Sequence, residues 1–209
     1  MMRITEIRTQ KKHLEKVIFE NGEELLLDRD TCKENALRPG SMPDEKALEE
    51  MQWDSAYRRA KSRALWYLDR ADRTEKGLYR KLLTAGFDER VSAAVIARLK
   101  ELELLDDRRF AEHFSERCRE AGFSKRQAIA KMLEKGVPYA LAKEQTDAWE
   151  TDESEQIRLL IEKKYARKLE EENGVQRVYA ALVRKGFSFG AVREALKKYS
   201  EELENSEEF

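Results

Sequence analysis

The stretches LLTAGF, MLEKGV and LVRKGF end at Phe87, Val137 and Phe187, so that Gly86, Gly136 and Gly186 follow one another at intervals of fifty residues. A catalytic motif seldom needs three copies, whereas a structural unit that stacks on its neighbour does. The apolar residues around each glycine recur with helical spacing. In the first copy, Ala56, Tyr57, Ala60, Ala64, Leu65 and Leu68 predict a helix over about 55–69. Thr74 then caps a short helix carrying Leu78, Leu82 and Leu83, which Gly86 ends. Glycine takes the left-handed conformation there cheaply, and Phe87 folds back on the last turn. Val91, Val95, Leu99 and Leu102 mark a third helix.

The second copy repeats this order. Phe110, Ala111, Phe114 and Cys118 form the first stripe, and Ser124 with Gln127 reads as a capping box. Ile129, Met132 and Leu133 follow, Pro138 sits near the start of the third helix, and Leu141 and Trp149 close the copy. The third copy has Ile157, Leu160, Ile161 and Tyr165, then Val178, Leu182 and Val183, then Val192, Leu196, Tyr199 and Leu203. Asn173 and Gln176 are its capping pair. Each copy alone is too small to bury much surface. The expected fold is therefore mainly α: three tandem three-helix repeats stacked in an elongated, curved array.

The N-terminal part reads differently. Val17, Ile18 and Phe19 precede Asn21-Gly22, and Leu25, Leu26 and Leu27 follow, which predicts a two-residue hairpin turn in a small antiparallel sheet over roughly 3–28. A hairpin is marginal alone, so it should pack on something helical. The turn-rich LRPGSMPDE then leads to a short helix through Leu48, Met51 and Trp53, with Asp44 or Ser41 as its cap. The expected divisions are residues 1–53 for the sheet, linker and short helix, then repeats at 54–104, 105–150 and 151–209, the last with an acidic tail.

Composition excludes several classes. No stretch approaches the eighteen or so apolar residues that span a bilayer, and the N-terminus has no apolar signal-peptide core. Two cysteines, Cys32 and Cys118, with no CxxC spacing, argue against a disulfide framework and suit a reducing cytoplasm. There is no phosphate loop, no GxGxxG and no HExxH. His13 and His113 are the only histidines, without metal-spaced partners. Asp106 and Asp107 form an acidic pair that reads as helix capping before it reads as a metal-dependent nuclease. Cys118, four residues after Phe114, reads as a buried small hydrophobe. We therefore expect no catalytic residues, no metal and no cofactor.

The formal net charge of −1 hides an uneven distribution. Residues 1–53 hold 9 basic and 12 acidic groups, residues 54–104 hold 12 and 8, residues 105–150 hold 9 and 9, and residues 151–209 hold 11 and 13. The first repeat is a basic island built from Arg58, Arg59, Lys61, Arg63, Arg70, Arg73, Lys76, Arg80 and Lys81. Such a patch attracts phosphate without giving a basic protein. On a helix, Arg59, Arg63 and Arg70 fall within about 40° of one another. Lys76 and Arg80 lie one turn apart. The pattern suits a ridge that tracks phosphates, and equally a solvated face of a highly charged protein. Trp66 and Tyr67 read as core ahead of base stacking.

These features resemble the RecX family, bacterial regulators of the RecA recombinase. The resemblance rests on ALWYLDRADRTEKGLYRKLLTAGF and LKELELLDDRRFAEHFSERCREAGFSKRQAIAKMLEKGV, above all on Leu105-Asp106-Asp107-Arg108-Arg109-Phe110-Ala111 with its spacing to Phe114 and Arg117. The N-terminal hairpin and the linker match the longer form of the family, and the likeness covers nearly the whole chain. It implies a non-enzymatic, monomeric regulator of tandem three-helix repeats. Such a protein lies in the groove of the RecA filament on single-stranded DNA and inhibits ATPase, strand exchange and co-protease activity. One departure is Gly77 at the place where the family often has Glu three residues after the capping Thr74, which removes half of a capping box and costs on the order of 1 kcal/mol. The residues expected to face DNA or filament are Arg58, Arg59, Arg63, Arg70, Arg73, Lys76, Arg80 and Lys81. A stand-alone helical DNA-binding protein is the alternative, although no helix combines several base-reading residues.

Overall fold

A computed structural model of the chain describes residues 2–11, 13–150 and 152–207, with side chains as far as 201. It divides into two compact units, Met1–Leu105 and Asp106–Phe209. Among the described residues the fold is mostly helical with one small antiparallel sheet.

The sheet has the order β1 (Ile4–Lys11), β2 (Leu14–Phe19), β3 (Glu24–Asp28). Its register places Val17 opposite both Ile7 and Leu25, so one face gathers apolar side chains. The turn after β2 is not the two-residue turn expected. Gly22 N–H donates to the Phe19 carbonyl at 3.0 Å, and only Gly22, at φ 85°, is left-handed. This is a type I turn followed by a bulged glycine, so only one of the two positions takes positive φ. The Asn21 side chain instead accepts the Glu23 N–H at 3.0 Å.

The sheet packs on the helix that begins the first repeat. A short helix, α1 (Arg29–Glu34), leaves β3 with Asp28 as its N-cap. The linker then reaches α2, Glu45–Arg70, capped by Asp44. The short helix expected through Trp53 and the helix expected over 55–69 are thus one helix of 26 residues. Nothing in Asp54-Ser55-Ala56 breaks it, since neither Pro nor Gly interrupts the run. Ser55 is fully buried and its Oγ accepts the Asp28 N–H at 2.7 Å, tying the sheet to α2. Ile4, Val17, Phe19, Leu27, Leu48 and Met51 form the core beneath.

The first repeat adds α3 (Glu75–Thr84) and α4 (Glu89–Glu101) to α2. The second unit contains α5 (Asp107–Glu120), α6 (Lys125–Lys135) and α7 (Tyr139–Asp147). It continues with α8 (Glu153–Leu160), a π-helical turn at Ile161–Tyr165, α9 (Ala166–Leu169), α10 (Gly174–Arg184) and α11 (Phe189–Glu207). Each repeat has its own core, centred on Leu78, Leu82 and Leu99, on Ala128, Met132 and Trp149, and on Ile157, Leu182 and Phe187. The first helix of the third repeat runs without a gap through the π turn that joins α8 to α9. Asn173 does not cap α10; it takes φ 58° and its side chain makes no cap bond. Leu203 and the end of the acidic tail lie outside the described side chains.

The three glycines do the same thing. Gly86, Gly136 and Gly186 have φ of 88°, 99° and 91°. Their N–H groups donate to Leu83, Leu133 and Val183 carbonyls, each at 2.9 Å. The next residue reaches one position further back: Phe87 to Leu82 at 3.2 Å, Val137 to Met132 at 3.0 Å, Phe187 to Leu182 at 3.4 Å. This is the paired helix-end pattern that satisfies two orphan carbonyls and returns the following apolar side chain to the core.

The third of these ends also joins two repeats. The Lys185 carbonyl accepts the Ser124 N–H at 2.9 Å, so the amide that a reciprocal capping box would satisfy is taken by the neighbouring repeat. The Ser124 Oγ still caps α6 through the Gln127 N–H at 3.2 Å. A Cβ on Gly186 would stand 2.6 Å from both Ser124 Oγ and Gln127 Cβ, whereas one on Gly86 would meet open space. Alanine at either site carries the left-handed penalty of about 1–2 kcal/mol. Only Gly186→Ala adds a steric overlap, which costs about 1–3 kcal/mol in packed surroundings. Urea unfolding should therefore show Gly186→Ala at least about 1 kcal/mol more destabilised than Gly86→Ala. Equal losses would contradict the joint.

Candidate nucleic-acid or filament interface

Three consecutive requirements of α2 set the character of its outer face. Ala60 and Ala64 are fully buried against α4, which fixes the rotation of the helix. Arg59, Arg63, Trp66 and Arg70 follow at spacings of three and four, so they share one face. The face turned outward therefore carries Arg63, Trp66 and Arg70, all exposed.

Trp66 is 44% exposed, contrary to its reading as core. The Arg70 guanidinium lies 3.6 Å from the centre of its ring, and that of Arg63 lies at 5.4 Å. Arg70 also donates to the Trp66 carbonyl at 3.1 Å, which holds the guanidinium near its own helix. Cation–π contacts of this kind are worth about 0.5–1 kcal/mol at exposed sites. Tyr67 meets Trp66 edge to face, with centroids 5.2 Å apart, and turns inward against the core of the repeat. From α3, Lys81 stands over Tyr67 at 5.6 Å. Lys76 and Arg80 lie on the exposed side of α3, opposite the buried Leu78 and Leu82.

The eight predicted residues thus separate into two groups. Arg63, Arg70 and Lys81 gather around the Trp66–Tyr67 pair, and Lys76 and Arg80 continue outward on α3. The other three lie outside this cluster. Arg58 forms a two-point ion pair with Glu34 of α1, one bond at 2.9 Å. That carboxylate raises the Arg58 pKa further. Arg59 donates to the Ser55 carbonyl at 3.3 Å. Arg73 sits half-buried in the loop before α3, its Nε enclosed without a hydrogen-bond partner. Sequence reasoning missed the place of Trp66 in the basic face, although its position three after Arg63 and four before Arg70 carried that information.

The acidic and thiol candidates have structural roles. The Asp106 carboxylate accepts the Arg108 and Arg109 N–H groups at 2.9 and 3.0 Å, capping α5. Those backbone donors, the Arg109 one first, hold its pKa below the ordinary carboxylate range. Asp107 begins the helix. Among the described residues no group of three or more His, Cys, Asp or Glu is arranged to hold a metal ion. Cys32 and Cys118 are free and buried; burial pushes the Cys32 thiol up to about 11 and raises that of Cys118. Both stay protonated, which suits packing and not nucleophilic chemistry. No helix among the described residues is long and apolar enough to cross a membrane.

Tandem three-helix domains with a charged, aromatic outer face define a class of helical-repeat proteins. The comparisons with known proteins narrow this class. Residues 60–99 match the model of the first three-helix domain of RecX, and residues 150–196 match that of the third. The regulatory protein RecX of Clostridium tetani is 28% identical over 204 residues, covering 94% of both chains. That of Bacillus velezensis is 29% identical over 211 residues, covering 98% of this chain and 80% of the relative. A crystal structure of regulatory protein RecX shares the fold with a TM-score of 0.60 over 95% of this chain and 100% of its own, at 20% identity. The chain is thus similar to the RecX family of regulatory proteins, through two of its three-helix domain models and through relatives that align along nearly the whole chain.

The capping role of Asp106 has a pH signature. Its folded-state pKa is depressed, so its contribution is complete above the ordinary carboxylate range and is lost as pH falls through the folded value. Asparagine caps about as well but carries no charge toward the helix dipole. Wild type should exceed Asp106→Asn in stability by a few tenths to about 1 kcal/mol at pH 7, and the gap should narrow as pH falls below the ordinary carboxylate range. Urea midpoints across that range measure it. A gap that persists in acid, or one that appears only when Mg²⁺ is added, would contradict the cap.

Proposed function

We propose that this protein binds the RecA filament on single-stranded DNA and inhibits it, through the exposed face of its first repeat. The reading rests on one observation: within the segment matching the family's first three-helix domain, Arg63 and Arg70 flank an exposed Trp66, with Lys81, Lys76 and Arg80 alongside. A solvated charged face has no need of an exposed indole between arginines. A surface meeting phosphates and unstacked bases does, since stacking contributes about 1–3 kcal/mol per base and the cations track the backbone. Within a filament the same face meets acidic protein surface or the strand itself.

In this reading the protein acts as a monomeric, non-enzymatic regulator in the cytoplasm. Bridging neighbouring filament subunits, it opposes the rearrangement that ATP turnover requires and so lowers ATPase, strand exchange and co-protease activity. Inhibition then requires tighter binding to one filament state than to the other. Arg58, Arg59 and Arg73 support the fold around the face and take no part in contact.

The exposed Trp66 also favours a second reading, direct action on the DNA strand without RecA. The two are separated by binding to a labelled oligonucleotide, bare or coated with RecA. Arg63→Glu/Arg70→Glu/Arg80→Glu should weaken binding to the coated strand at least tenfold, with Trp66→Ala costing several-fold and Arg58→Glu little beyond stability. Wild-type binding should weaken with salt, and the triple variant should lose part of that dependence. Unchanged binding by the triple variant would remove this face from the mechanism. Equal affinity for bare and coated strand would favour the second reading.

A further inference from the structure

The second unit gathers positive charge where its two repeats meet, with a single carboxylate among the residues that line the cleft there. Where the second and third repeats meet, a cleft of about 260 Å³ is floored by Phe123, Leu159, Leu160 and Phe187. Arg119, Lys163 and Lys164 line its rim. Lys131 and Lys185 both stand over the Phe123 ring, at 4.6 and 4.8 Å. Several exposed cations of this unit have an acidic partner within reach, as Arg108 has Glu144 at 2.6 Å and Arg158 has Glu155 at 2.9 Å. Among the described residues Lys131, Lys163, Lys164 and Lys185 have none.

Two of these lysines are held in place. Lys185 donates to the Ala121 carbonyl, and Lys164 to the Glu120 carbonyl at 3.3 Å. Both carbonyls belong to the end of α5, whose dipole supplies the equivalent of about half a negative charge. That offsets a fraction of one lysine. Glu120 lines the cleft as its one carboxylate, and Arg119 is already paired with Glu116 at 2.6 Å. Burial, with Lys164 as a like-charged neighbour, lowers the Lys185 pKa. Like charges held together at a concave, half-apolar surface are the arrangement of an anion site before its anion arrives.

The geometry points to a binding site for a phosphate group in this cleft, gripped by Lys163 and Lys164 of its lining, with Lys185 beside it at the end of α5. Its volume lies just under the range of pockets that enclose drug-sized ligands, which suits one phosphate or pyrophosphate unit, free or carried on a nucleic-acid strand. Lysine serves such a group as a point charge with three donors. The site is separate from the first-repeat face and stands whether or not that face binds the filament. Because Lys164 and Lys185 belong to the third repeat and hold carbonyls of the second, an anion between them also fastens this joint.

Calorimetric titration of the full chain tests the site at constant ionic strength, with Arg63→Glu/Arg70→Glu as background so that the first repeat is silenced. Pyrophosphate and a short oligothymidine are the two probes. At least one should bind saturably at one site per chain, and Lys163→Gln/Lys164→Gln should weaken it tenfold or more. Lys163→Gln alone, which leaves the Lys164 and Lys185 bonds in place, should weaken it several-fold with an unchanged melting temperature. Binding of pyrophosphate assigns a free phosphate ligand, and binding of the oligonucleotide alone assigns a strand. Either supports the site. No saturable binding of either probe, or equal binding by the double variant, overturns it.

Discussion

Each repeat depends on one local event, a helix that ends in a left-handed glycine. The ending does two jobs with two hydrogen bonds. It satisfies carbonyls that would otherwise face the core unpaired, and it turns the chain so that the next apolar residue is driven back under the helix just finished. Phe87, Val137 and Phe187 occupy that place in three successive repeats, the latter two almost fully buried. The third helix of each repeat starts from this fixed direction. Without the turn, Leu82, Met132 and Leu182 would lack the partner that closes their cores.

The same economy explains why the outer surfaces are available for binding. Cores made of short helices bury alanine, leucine and valine on one stripe and leave the opposite stripe unconstrained. In α2 the inward stripe is occupied by Ala60 and Ala64, small enough to bring α4 close. The outward stripe is then free to hold Arg63, Trp66 and Arg70 in register. In the second unit the contact of two repeats leaves a cleft between them, and lysines from one repeat hold the last carbonyls of a helix in the other. In the reading proposed above, function is carried by faces and joints, while the interiors remain apolar.

Much of this was legible in the residues. The fifty-residue interval, the helix-ending glycines, the Asp106 cap and the buried Cys118 follow from spacing and residue type, and the family's tandem three-helix architecture was readable from the same phrases. What escaped was set in part by partners distant in sequence and in part by local backbone geometry. Ser124 and Gln127 spell a reciprocal cap, yet the Lys185 carbonyl claims the Ser124 amide. Asn173 has the right type for a cap but adopts φ 58° instead. Asn21-Gly22 has the composition of a two-residue turn, and the strands close through a bulged one. Arg58 counted as part of the basic strip until Glu34, 24 residues earlier, took its charge. Trp66 shows the reverse case, where the stripe was visible but its aromatic member was assigned to the core.

The central claim is that the protein acts on the RecA filament and not merely on DNA. The most direct measurement is the single-strand-dependent ATPase of RecA with this protein titrated from far below to equal amounts, at low and moderate salt. The account predicts inhibition at amounts well below RecA, persisting at moderate salt because protein contacts add to phosphate contacts. Inhibition only when the protein is abundant enough to coat the strand, and abolished by moderate salt, would contradict it.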